Sequence, residues 1–303
     1  MMEIIINLNT LVNASDIILK GMIVGVLTAI CAAILGVPLV LKRYSMIGDG
    51  LSHMGFCATA IAAAVGVSND KVMYVTMPFV VISAIVLLLL SESGKIKGDA
   101  AIAMLSTGAV ASGYIIYSLA SKGAGDVCSS LFGGSIYTLD SGDVTVSVLL
   151  ACGVILVFVL LFSKIFAISF DTAFAKSAGT NVAFYNVLLA VLTAVTIVVG
   201  MKMIGSIMIS ALIVFPALTA MRICKQFKSV ILVAGLISTV CFVLGLLFAT
   251  VIEFNFGRVS TASIPIGPSV VAFNVIAFAL TVGIKKLLQT VSKRNLGKKE
   301  GEQ

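Results

Sequence analysis

Long apolar runs separated by short polar connections recur along the chain from Ile17 to Leu288, and few charges fall inside them. Crossing a hydrocarbon core of ~30 Å takes a helix of roughly 20 apolar residues, so each run has spanning length. The spans must be helices, because an open sheet edge would leave unpaired backbone groups in lipid. Hydropathy places about nine of them, at 18–41, 46–66, 72–91, 100–119, 144–166, 183–201, 203–221, 229–252 and 266–288. The sixth and seventh nearly touch, with only Lys202 and its neighbours between them, so eight to ten spans fit the pattern. The expected fold class is all-α, a polytopic membrane protein forming one transmembrane unit over residues 1–303.

Composition agrees: 60% of the 303 residues are hydrophobic and 11% charged, with a mean hydropathy of +1.18. No soluble core could bury so much apolar surface. The net charge of +7 does not indicate nucleic acid, because the basic residues sit in short connections and the tail, where they report orientation. Placing the tail in the cytoplasm puts Lys42, Arg43, Lys95, Lys97, Lys164, Lys176, Arg222, Lys225, Lys228 and the six bases from Lys285 onward inside. Lys20, Lys71, Lys122, Lys202 and Arg258 are then outside, a distribution of fifteen against five. The N-terminus is thus expected outside, with residues 1–17 external or interfacial, and residues 289–303 form a basic cytoplasmic tail. Residues 1–15 lack a basic n-region, so a cleaved signal peptide is not expected. The six cysteines lack CxxC spacing and most fall inside apolar runs, as small buried hydrophobes do.

Two connections are longer than the rest. The outer one, residues 120–143, is rich in Gly and Ser and is expected to hold a short helix or re-entrant turn. The inner one, residues 167–182, reads AISFDTAFAKSAGTNV. There Asp171 can cap a short helix and Gly179 can end it in the left-handed conformation. Such a helix on the cytoplasmic face is well placed to touch a soluble partner.

Ionisable groups deep in a membrane are costly and mark function by default. Asp49 and His53, the only histidine, lie in RYSMIGDGLSHMGF. Counting from Arg43 at helical rise places Asp49 ~9 Å and His53 ~15 Å deep. A spacing of four stacks carboxylate and imidazole on one helix face. That pair suits Zn²⁺, Mn²⁺ or Fe²⁺, whereas Mg²⁺ or Ca²⁺ calls for oxygen ligands alone. A homodimer would bring two such pairs together around one ion. Cys57 continues the stripe one turn on, as a packing cysteine or a soft third ligand. The competing reading is an Asp-His hydrogen bond that joins helices and binds nothing.

Residues 204–223, IGSIMISALIVFPALTAMRI, combine small side chains, Gly205 and Ser210 among them, with a mid-span Pro216, which allows close helix approach and a kink. SIPIGPSVV, residues 263–271, breaks the start of the last span with Pro265 and Gly267, either as an ordinary helix start or as a gating element.

Together these segments resemble the zinc and manganese permeases of the ABC importer class. RYSMIGDGLSHMGF resembles that family's basic-x-Ser-x-x-Gly-Asp-x-Leu-Ser-His signature, and IGSIMISALIVFPALTA its Val-Gly-x-x-x-x-Ala-Leu-x-x-x-Pro-Ala segment. DVCSSLFGGSI is similar to its Asp-x-x-x-x-Leu-Phe-Gly element, and FDTAFAKSAG to its cytoplasmic Asp-x-x-x-Ala-x-x-x-Gly loop. Many members carry Asp before the x-Pro-x-Gly, where this chain has Ser263. The resemblance implies a permease in the cell membrane, paired as a homodimer or close heterodimer, that joins two cytoplasmic ATPase subunits and receives metal from an external solute-binding protein. It implies metal coordination at Asp49 and His53 and ATPase coupling at Asp171, Ala175, Lys176 and Gly179. No cofactor is held permanently; zinc or manganese, with iron next, is cargo, and ATP is used by the partner. No Walker sequence is present, so the chain is not expected to be an enzyme itself. The alternative transporter is a proton-coupled secondary carrier; an intramembrane enzyme would need a fuller set of catalytic groups than one histidine supplies.

Overall fold

The computed structural model describes residues 3–6, 15–68, 71–92, 98–120, 141–255, 262–263 and 265–300. Among them the helices are α1 (Ser15–Leu41), α2 (Ile47–Ala64), α3 (Val72–Glu92), α4 (Gly98–Leu119), α5 (Ser141–Leu160), α6 (Phe162–Phe170), α7 (Thr172–Ser177), α8 (Val182–Ile204), α9 (Ser206–Ile223), α10 (Phe227–Val251) and α11 (Ile266–Glu300). All except α6 and α7 match the predicted spans in order. Seven are long and apolar enough to cross a membrane. The other two are α2, where Asp49, His53 and the glycines dilute the hydrophobicity, and α9, whose apolar part is only Met208–Ile223.

Several boundaries differ from the hydropathy reading. The fifth span stops at Leu160; Leu161 (φ −100°, ψ 11°) interrupts it, and α6 continues where the inner connection was expected to begin. The sixth and seventh spans divide at Gly205, not at Lys202, because the junction has φ +96°, which only glycine adopts cheaply. Lys202 remains in the last turn of α8. The last helix extends beyond 288 to Glu300, so most of the basic tail is helical. Near the N-terminus, β1 (Glu3–Ile6) pairs antiparallel with β2 (Ile252–Asn255), which pairs with β3 (Ala262–Ser263). Hydropathy could not show this small sheet, since a four-residue apolar strand attached to a span reads as part of it. Most of the outer connection expected at 120–143, with its short helix or re-entrant turn, lies at 121–140, outside the described residues.

Helix α1 lies at the centre, packed on α5, α8, α9 and α10. Its Ala29, Ala32, Leu35 and Val37 are fully buried. At Gly36 an added Cβ would stand 2.0 Å from the Ile213 carbonyl oxygen, so α1 and α9 meet backbone to backbone. This is the close approach that small residues permit in membrane bundles.

Contacts define two ends. At one, Lys42 donates to Asn186 at the start of α8, Phe227 meets Phe162 and Phe166, and Lys285 Nζ donates to the Arg222 carbonyl (3.2 Å). Lys42, Arg222, Lys225, Lys228 and Lys285 gather there. At the other, Lys202 Nζ meets Asp143 Oδ1 at 2.7 Å, tying the end of α8 to the start of α5.

Candidate metal-passage site

The turn that delivers the Asp-His pair is not helical. After α1, Arg43 takes φ +63° and the amides of Arg43 and Tyr44 return to the carbonyls of Val40 and Leu39, a closed helix end of the kind usually built on glycine. Residues 42–46 are turns and α2 begins at Ile47. The helical count from Arg43 therefore does not apply, and depth follows from the neighbours instead. Asp49 stands beside Ser210, thirteen residues before the end of α9 at Ile223, which is ~20 Å of helix. The pair is thus placed by its neighbours on α9, on a helix that starts inside the bundle. Gly48, packed on Ile213 and Ser210, permits that start.

Asp49 sits in the first turn of α2, where the free amides of a helix start favour a carboxylate. His53 is one turn on, its Nε2 3.6 Å from Asp49 Oδ2, outside hydrogen-bond length. Its Nδ1 is buried and has no hydrogen-bond partner among the described residues. Ser210 Oγ donates to Asp49 Oδ1 at 3.4 Å, a long contact reaching across from α9. The Asp49 side chain is 35% exposed on the single chain and His53 14%. Acid and imidazole share one helix, and the Ser210 contact joins the acid to α9.

Cys57 follows on the same stripe, buried, with Sγ 3.4 Å from Ser112 Oγ of α4. Among the described residues no three His, Cys, Asp or Glu side chains converge on one point, so one chain brings two strong donors together, not three. Of the gating candidates, Pro216 lies inside α9 and Gly205 precedes it, while exposed Pro265 and buried Gly267 flank the first residue of α11. Pro265 acts there as a helix-start acceptor, its carbonyl taking the Ser269 hydroxyl at 3.0 Å.

The inner connection is built as its sequence suggests. Asp171 is the N-cap of α7, Oδ1 accepting from the amides of Ala173 (2.9 Å) and Phe174 (3.0 Å). Gly179 has φ +76°, and the Thr180 amide returns to the Ala175 carbonyl. Ala175 is buried while Lys176 is exposed. Directly after it, Asn181 caps α8 and Asn186 receives Lys42, which ties the connection to the turn before Asp49. That tie, the Lys202–Asp143 pair and the Ser210 contact were not visible in the sequence, because each joins residues 59 or more positions apart.

A model of the ABC 3 transport family matches residues 14–284. The chain belongs to that family. It is similar to the manganese import system permease protein ScaB of Streptococcus gordonii, 29% identical over 75% of this chain and 80% of the relative. It is also similar to the high-affinity zinc uptake system membrane protein ZnuB of Buchnera aphidicola, 25% identical over 74% of this chain and 84% of that one. In fold it resembles a chain of the PsaBC complex of Streptococcus pneumoniae solved with a Fab, with a TM-score of 0.75 at 24% identity, covering 90% and 94% of the two chains. As a member of the ABC 3 transport family the chain is a multi-pass membrane permease subunit and not itself an enzyme.

Proposed function

We propose that this chain is the permease subunit of an ATP-driven importer of divalent transition-metal ions, zinc or manganese, which cross the membrane through a layer formed by Asp49 and His53. The observation that carries the reading is the condition of the pair: acid and imidazole on one helix face, 3.6 Å apart and partly open, with the buried Nδ1 of His53 unsatisfied by any described residue. Exposing a carboxylate to lipid is costly, so its open side belongs to a pore or a subunit seam. A second permease copy across a two-fold axis contributes the matching pair, giving two oxygens and two nitrogens. A layer assembled this way holds an ion without trapping it, as transport requires. The metal named for ScaB and for ZnuB supports the cargo class, and an O/N donor set suits both ions.

Energy enters at the basic end, which the positive-inside rule assigns to the cytoplasm, leaving the N-terminus outside. ATP binding and hydrolysis on partner subunits press on α7 at Asp171, Ala175, Lys176 and Gly179. The push passes through α8 and the Lys42–Asn186 contact to the turn before Asp49, and the dimer alternates access. A solute-binding protein delivers the ion on the opposite face. In reconstituted complex, Asp49→Ala and His53→Ala are each expected to abolish uptake of radiolabelled Zn²⁺ and Mn²⁺ while the ATPase subunit still co-purifies. Near-normal uptake in both variants would remove the site.

A further inference from the structure

Where α5 and α10 reach the basic end, their outer faces are apolar: Leu156, Val159 and Leu160 on α5, and Leu232 and Leu236 on α10, are exposed on the chain. Side chains of this kind on spanning helices face acyl chains. Between α6 and the start of α10 the surface opens into a groove of about 460 Å³, walled by Phe162, Phe166, Phe170 and Phe227. The rings support one another, with centroids 5.4 Å apart for Phe162–Phe227, 5.1 Å for Phe166–Phe227 and 4.8 Å for Phe166–Phe170. Phe227 is buried, whereas Phe166 and Phe170 remain 42% and 59% exposed.

Gln226 and two exposed lysines, Lys225 and Lys228, complete the lining, which among the described residues contains no acid. Asp171, next in sequence to Phe170, turns Oδ1 to the amides of α7. The groove thus has an apolar wall that continues toward the lipid-facing leucines of α10 and a positive mouth. An amphiphile with an anionic head satisfies both features at once, and aromatic rings with basic residues at a membrane boundary are placed for this contact. A soluble acidic partner would meet the lysines but has no use for a wall running on toward Leu232 and Leu236.

We infer that the groove binds one anionic phospholipid, its phosphate held by Lys225 and Lys228 and an acyl chain laid against Phe166, Phe170 and the outer face of α10. Since α6 leads directly into α7, an occupied groove steadies the connection against the bundle. The inference uses the orientation given above only to place the lipid in the cytoplasmic leaflet.

The test is native mass spectrometry of the full transporter complex, purified from nanodiscs of phosphatidylcholine with or without phosphatidylglycerol. Wild type is expected to retain phosphatidylglycerol in preference to phosphatidylcholine. The Lys225→Gln/Lys228→Gln variant should retain several-fold less, and Phe170→Ser should lower it too, with ATPase subunits still attached. Equal retention in wild type and the lysine variant overturns the proposal. Loss of the ATPase subunit with lipid retention unchanged also overturns it and makes the groove a protein-docking surface. Lipid retention is read without metal, so failure here and failure of the Asp49–His53 layer are separable.

Discussion

Substituting Gly36 by alanine tests the seam on which the proposed metal layer depends. Its Cβ would lie 2.0 Å from the Ile213 carbonyl oxygen and 2.9 Å from the carbonyl carbon. Ordinary carbon-oxygen contact is about 3.3 Å, so α1 and α9 must separate locally by more than about 1 Å. Backbone cannot rotate away as a side-chain tip can. Overpacking of this kind costs about 1–3 kcal/mol, a fall of roughly 2–5 °C in melting temperature for a chain of this size. One turn from Ile213, Ser210 reaches Asp49 at 3.4 Å, already at the limit of a hydrogen bond. The same displacement breaks that contact, so uptake should fall together with stability. The control is Gly235→Ala on α10, where an added Cβ meets nothing within 4 Å and helix propensity improves by about 0.5–1 kcal/mol. Melting curves of detergent-purified permease and uptake of ⁵⁴Mn or ⁶⁵Zn give the readouts. If Gly36→Ala melts with Gly235→Ala and transports normally, the backbone-to-backbone seam is wrong.

Other outcomes follow from single contacts. Ser210→Ala removes one long hydrogen bond to Asp49, so uptake should drop only about two- to fivefold; complete loss would mean that the hydroxyl does more than orient the acid. Asp143→Asn leaves the Lys202 ammonium, 23% exposed, without its counter-charge and should cost about 1–3 kcal/mol. Much of that loss should return in Asp143→Leu/Lys202→Met, and a double variant no better than the single would argue against pairing as the cause. Gly179→Ala forces a side chain into φ +76° and should cost about 1 kcal/mol locally. Hydrogen exchange across 172–181 should quicken while the spanning helices are unchanged, and ATP hydrolysis should uncouple from uptake.

The pattern along the chain made the spanning helices legible because lipid leaves little choice: apolar runs of the right length must close their own hydrogen bonds. The short helix at 172–177 was legible for a local reason, since Asp171 and Gly179 supply a cap and a left-handed stop from within the segment. Boundaries failed where local geometry overrides hydropathy. Leu161 breaks an apolar run without a polar residue to announce it, and Gly205 divides two helices only through its φ. The three-stranded sheet depends on pairing residues 3–6 with 252–255, a separation that no local pattern reveals.

For the proposed site, sequence alone determined which groups are candidates: a histidine and an acid four residues apart can share one helix face wherever that helix lies, because the spacing is a property of the helix. Their depth was not determined, since it depends on residues 42–46 turning and α2 beginning within the bundle. Nor could sequence show that Ser210 would reach Asp49 or that Lys42 would join Asn186. Those contacts exist only once α1, α8 and α9 have packed, and packing is set by which backbones can approach, as Gly36 lets α9 do. The identity of a ligand is local chemistry, but its surroundings belong to the assembled bundle.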